Sequence, residues 1–171
     1  MAIGHFPQAL KDMMKQKGDT LAKVGRAAHV DGSQIGKIIK GSRKPSKPVM
    51  HAAALHYDDG QLYIAAAAEV TGGASVPWLS GADLHPSSAY IKTIEEIREA
   101  EEALLKLPIT KHSEQLTDRE RGQIKGALLE QIEAITALTH NVAVQCRKYG
   151  FSYLGLWSEH RSEMASKHYL K

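Results

Sequence analysis

Ile124, Leu128, Ile132, Ile135, Leu138, Val142, Cys146 and Tyr149 follow one another at intervals of 4, 4, 3, 3, 4, 4 and 3 residues. An α-helix, at 3.6 residues per turn, is the element that keeps such a series on one face. The "TDRE" of Thr117 to Glu120 is an S/T-x-x-E capping box that opens this helix, and Gly150 ends it. The helix is about 50 Å long at 1.5 Å per residue. That exceeds what a small domain needs, and its apolar stripe is longer than its short neighbours can cover.

The remaining segments carry the same periodicity, with no sustained alternation of the strand kind, so the expected fold class is all-α. Phe6, Leu10, Met13 and Met14 form one face of a first helix stopped by Gly18. Thr20 is placed to cap a second helix bearing Leu21, Val24 and Ala28. Asp31 can cap a third, with Ile35, Ile38 and Ile39 inward and Gly41 closing it. "SRKPSKP" is a basic turn, Val49, Ala52, Ala53 and Leu55 mark a fourth helix, and "DDGQLYIAAAAEVTGG" supplies a fifth. Trp78 and Leu79 are expected to pack back onto these helices, and a first domain to run from Met1 to about Gly81.

A second domain, Ala82 to Lys171, begins with a proline at a helix start. Its first helix should turn Ile91, Ile94, Ile97, Leu104 and Leu107 inward and a mostly Glu face outward. The tail predicts one more short helix anchored by Phe151, Tyr153, Leu156 and Trp157. Gly122 and Gly126, one turn apart, are open to two readings: close crossing by another helix, or two tolerated glycines near a fraying first turn.

The 171 residues include 22 Lys+Arg and 19 Asp+Glu, a balance of +3 that singles out no partner. Its distribution does. Met1 to Tyr57 holds ten basic and three acidic residues, a net +7, which leaves −4 for the rest. Such asymmetry suits a basic half facing a polyanion. One cysteine, Cys146, excludes an internal disulfide framework and reads as a small core residue in a reducing compartment. The N-terminal stretch has no signal-peptide pattern, and "YIAAAAEV" is far shorter than a membrane span, so a soluble cytoplasmic protein is expected.

The nine histidines form no zinc-type set: His51 and His56 fall on different helix faces, and His160 with Glu163 is a single pair. No phosphate-cradling glycine loop or nucleophile elbow is present. No metal, no cofactor and no catalytic residue is therefore expected.

"TLAKVGRAAHVDGSQIGKIIKG", Thr20 to Gly41, has the parts of a helix-turn-helix in order. Two short helices flank a tight elbow, Val24, Ala28, Val30, Ile35 and Ile38 are spaced to bury, and Gly25 permits close helix contact. Ser33, Gln34, Lys37 and Lys40 are left outside. From Gly18 to Ser46 the chain resembles the lambda-type phage repressor and Cro family, also called XRE. The resemblance implies a five-helix DNA-binding domain that works as a dimer on a palindromic operator. It implies that Ser33, Gln34 and Lys37 face base edges while Thr20, Lys40, Ser42, Arg43 and Lys44 touch phosphates.

Three positions depart from the family pattern. Leu21 stands where a polar phosphate contact is common, Gly32 where a long base-reading side chain is common, and His29 in place of a turn glycine. Gln34 has two possible jobs, closing a D-x-x-Q capping box with Asp31 or reading adenine with its amide. The second domain is similar to the helical C-terminal regions of prophage regulators and lacks the Ser and Lys arrangement of a self-cleaving repressor. The expected function is regulation of transcription, by a repressor of prophage or mobile-element genes. Its partners would be double-stranded DNA, a second copy held through residues 82 to 171, and a protein effector. The rival expectation is a helical interaction module that kept the fold and lost its operator.

Overall fold

The computed structural model describes residues 5–170; the outer limits of the two expected domains, Met1 and Lys171, lie outside them. Eight α-helices follow in order among the described residues: α1 Phe6–Lys17, α2 Leu21–Ala27, α3 Gly32–Ile39, α4 Lys47–Tyr57, α5 Gly60–Val70, α6 Pro86–Leu105, α7 Asp118–Tyr149 and α8 Tyr153–Ser166. A single 3-10 turn, Ser113–Gln115, precedes α7, no strand occurs among the described residues, and the fold is all-α. No helix is long and apolar enough to cross a membrane among the described residues.

The helix ends lie where local chemistry puts them. Gly18 takes φ 65° after α1, and the Thr20 side chain accepts the Lys23 amide at the start of α2. Asp31 accepts the Ser33 amide at 2.7 Å to open α3. At its other end Gly41, at φ 73°, returns its N–H to the Ile38 carbonyl and Ser42 to the Lys37 carbonyl, a Schellman closure. The capping box of α7 is fully formed: Glu120 accepts the Thr117 amide at 2.9 Å, and Thr117 accepts the Glu120 amide at 3.3 Å.

The chain divides into two compact units, Met1–Gly81 with Gln145–Lys171, and Ala82–Val144. In the first, Phe6, Leu10, Met13, Val24, Ile35, Ile38 and Leu62 are fully buried and draw α1 to α5 around one core. Gly25 is what lets α2 and α3 meet: a Cβ there would stand 2.7 Å from the Val30 carbonyl oxygen and 2.9 Å from the Gly32 nitrogen.

The tail differs from the sequence division, which put it with residues 82 to 144. It packs on the first unit instead. Arg147 donates two hydrogen bonds to Asp59, Nε to Oδ2 at 2.8 Å and Nη2 to Oδ1 at 2.7 Å, and a third to Gln61 Oε1 at 3.0 Å. Asp59 also caps α5 through the Gln61 amide, and Asp58 accepts the Leu154 amide. Tyr153 is buried and stacks on Tyr63, with ring centroids 5.5 Å apart, while Arg147 lies over the buried Trp78 ring. The other expected anchors, Phe151, Leu156 and Trp157, are exposed, as is Leu79. Arg147→Ala strips a buried carboxylate of its charged partner and should cost roughly 2–3 kcal/mol. Urea unfolding checks this; an unchanged midpoint means the clamp contributes nothing.

In the second unit the expected stripes are inward only in part: Ile94, Leu107 and Ile124 are half-buried, and the fully buried positions are others. The buried positions are Ala89, Thr93, Glu96 and Ala100 on α6, and Ala127, Ala134, His140, Ala143 and Val144 on α7. Ile91, Ile97 and Leu104 are exposed, and so are Leu128, Ile132 and Ile135, at 53%, 57% and 53%. Small side chains let two helices approach closely, and Thr93 marks that approach by donating its hydroxyl to the Ala89 carbonyl at 2.8 Å and reaching the Ala137 carbonyl at 3.2 Å. Most of the large aliphatic side chains are then left exposed. Gly122 and Gly126 take no part in it, since a Cβ at either would meet nothing within 4 Å.

Candidate nucleic-acid interface

The outer face of α3 is set by the burial of its inner one. Ile35 and Ile38 are fixed in the core, so Ser33, Lys37 and Lys40, at i, i+4 and i+7, share the opposite side and are exposed. The elbow before α3 turns on His29, which takes φ 55°, the left-handed geometry a glycine would otherwise supply.

The eight residues expected to contact DNA fall into two groups. Lys37, Lys40, Arg43 and Lys44 are exposed and make no ion pair among the described residues, which leaves four cations for a polyanion. Of the polar four, Thr20, Ser33 and Ser42 are partly committed already. Thr20 uses an oxygen lone pair as the cap of α2 and keeps its hydroxyl proton to donate. Ser42 donates its hydroxyl to the Lys37 carbonyl at 3.1 Å, a bond it would exchange on donating to a phosphate.

Ser33 is exposed, and its hydroxyl and amide together hold the Asp31 carboxyl below its ordinary pKa. Gln34 is half-buried, and its side chain makes no hydrogen bond back to Asp31 among the described residues. The Asp31 cap is closed by Ser33 instead, which leaves the Gln34 amide uncommitted.

The departure at position 32 has a structural cause. A Cβ on Gly32 would stand 3.0 Å from the Ala22 nitrogen and the Leu21 carbonyl carbon, so α3 starts too close to α2 for an ordinary residue. A Cβ on Gly36 would lie 3.4 Å from Leu21 Cδ1; Leu21 lies along the flank of α3 and gives that surface an apolar edge.

Two features have no counterpart among the sequence expectations. Asp19 is buried to 4% side-chain exposure, with Lys23 Nζ at 2.6 Å, the Tyr57 hydroxyl donating at 3.0 Å and His56 Nε2 at 3.5 Å. The Lys23 hydrogen bond, followed by that from Tyr57, holds its carboxyl low against the opposing effect of burial. This ties the start of α2 to the end of α4 and so holds Thr20 in place. An acid just before an N-cap with Lys four residues on was the available signal. The second feature is Ser46, which precedes α4 and makes no side-chain cap, so first-turn N–H groups of α4 are open close in sequence to Arg43 and Lys44. Uncapped amides of this kind favour anions.

No family model, no curated protein and no solved structure matches the chain.

Proposed function

We propose that the chain is a sequence-specific DNA-binding regulator of transcription, a repressor that acts by occupying an operator as a dimer. The observation that carries this reading is the exposed face of α3, where Ser33, Lys37 and Lys40 stand clear of a core that fixes the helix, with Arg43 and Lys44 unpaired just beyond its end. A major groove admits such a helix, and lysine there finds the O6 and N7 acceptors of guanine. The resemblance of Gly18 to Ser46 to the phage repressors supports prophage or mobile-element genes as targets, and a cytoplasmic site of action follows from them. The exposed aliphatic face of α6 and α7 supports a second copy as the partner, with a protein effector as a later occupant that relieves repression.

The experiment is selection of bound fragments from random genomic DNA by the whole protein, followed by sequencing. Enrichment of one short palindrome supports the reading. Within that site, Lys37→Ala should cost about 1–3 kcal/mol and relax preference at one base pair. Lys44→Ala should weaken all sequences alike and lower the salt slope by roughly one. Equal losses on operator and random DNA for Lys37→Ala would remove it from the base-reading set. The second reading, an interaction module without an operator, is favoured by the apolar Leu21 flank and by glycine at both 32 and 36. It predicts that no sequence is enriched.

A further inference from the structure

Glu96 lies in the seam between α6 and α7 among alanines, at 4% exposure. A carboxylate removed from water is costly unless its oxygens are paired. One of them is: Lys92, one turn earlier on α6, reaches Oε1 at 2.6 Å from a largely exposed position. The other, Oε2, is buried and accepts no hydrogen bond.

Across the seam stand Glu130 and Glu133, one turn apart on α7, the first half-buried and the second exposed. Each of the three residues offers a carboxylate oxygen within 4.8 Å of the other two. Three carboxylates are thus gathered, only the buried one is paired with a lysine, and that one keeps an oxygen without a donor. Repulsion among them should drive the side chains apart unless a further positive charge sits between them. Two oxygens bound to one hard cation at about 2.0–2.6 Å are separated by no more than roughly 5 Å, which this spacing satisfies. The donors are all oxygen, with no imidazole or thiolate in the group, which selects magnesium, calcium or manganese over zinc or copper.

We propose that Glu96, Glu130 and Glu133 form a binding site for a hard divalent cation. The ion is held by carboxylates from both helices, with water completing its shell on the open side where Glu133 is exposed. It neutralises the buried Glu96 oxygen and cross-links α6 to α7 near the middle of the hairpin. The site is independent of DNA binding. Sequence alone does not mark it, because the Glu face of α6 has the pattern of a solvated surface and no histidine or cysteine belongs to the group.

The test uses the full chain, stripped with chelator and titrated with Mn²⁺, the free ion being followed by its electron paramagnetic resonance signal. One ion per chain should bind with a dissociation constant below about 1 mM. Glu96→Gln and Glu133→Gln should each weaken binding by about tenfold or more, whereas Glu114→Gln, in the exposed turn before α7, should leave it unchanged. Mn²⁺ should raise the melting temperature of the wild type and not that of Glu133→Gln. Glu133 is exposed, so its variant remains informative even where Glu96→Gln fails to fold. Absence of binding at millimolar Mn²⁺ overturns the proposal. So does retention of wild-type affinity by Glu133→Gln, or an equal loss in Glu114→Gln, which would reveal only a diffuse acidic surface.

Discussion

Ile35→Ala is expected to destabilise the first unit by roughly 2–5 kcal/mol, and Ile38→Ala by a similar amount. Both side chains are buried, Ile35 completely and Ile38 to 2% exposure, in the core that α1, α4 and α5 complete. Truncation leaves a cavity that this interior cannot easily collapse, because α2 and α3 are already in backbone contact at Gly25 and Gly32. A domain of this size has only about 5–15 kcal/mol in total, so either change removes a large share of it. Thermal melts of the whole protein read the loss. Lys37→Ala, one step round the same helix and exposed, should melt with the wild type. If both isoleucine variants melt unchanged, α3 is rotated and a different face of it meets DNA.

The helix ends of this chain were legible because caps are local. Gly18, Thr20, Asp31, Gly41, Thr117 with Glu120, and Gly150 each act within about four residues of themselves, and each sits where its neighbours in sequence require it. The core of α1 to α5 was legible for a related reason: five short helices leave few ways to bury Phe6, Leu10, Val24, Ile35 and Ile38 together. The exposed face of α3 followed from that burial by subtraction, while the Ser42 bond to the Lys37 carbonyl and the close approach of Gly32 to α2 did not show in it.

What could not be read is what depends on distant partners. Arg147 and Asp59 are 88 residues apart, and neither shows in its own neighbourhood that the other is its mate. The facing of α6 and α7 failed for a different reason. Periodicity finds an apolar stripe but not what covers it, and here alanines, Thr93 and Glu96 are the fully buried positions while most of the isoleucines and leucines are exposed. Glu96 was hidden by the same ambiguity, being one glutamate among five on α6 with nothing local to mark it as buried.

Loss of the exposed aliphatic face should abolish dimerisation and, with it, most operator affinity. Leu128, Ile132 and Ile135 lie within two turns of α7, each more than half exposed, and Ile91, Ile97 and Leu104 are exposed on α6. Leu128, Ile132 and Ile135 share one side of α7, and large apolar side chains exposed together mark an interaction site. Two such hairpins laid face to face make a four-helix arrangement whose interior is the aliphatic set that one hairpin cannot bury. Ile132→Asp combined with Leu128→Asp places charge in that interior at little cost to the single chain, because both positions face water there. The double variant should therefore stay folded, with a melting temperature independent of protein concentration, yet sediment as a monomer at micromolar concentration. Operator affinity should fall by roughly 10² to 10⁴, the gain that linking two weak sites confers, while binding to a single half-site is unchanged. A fragment ending at residue 81 is a poorer test, because it also lacks Arg147 and Tyr153, which pack on the first unit. A monomeric wild type, or a double variant that still dimerises, assigns this face to a different partner and leaves each α3 to act alone.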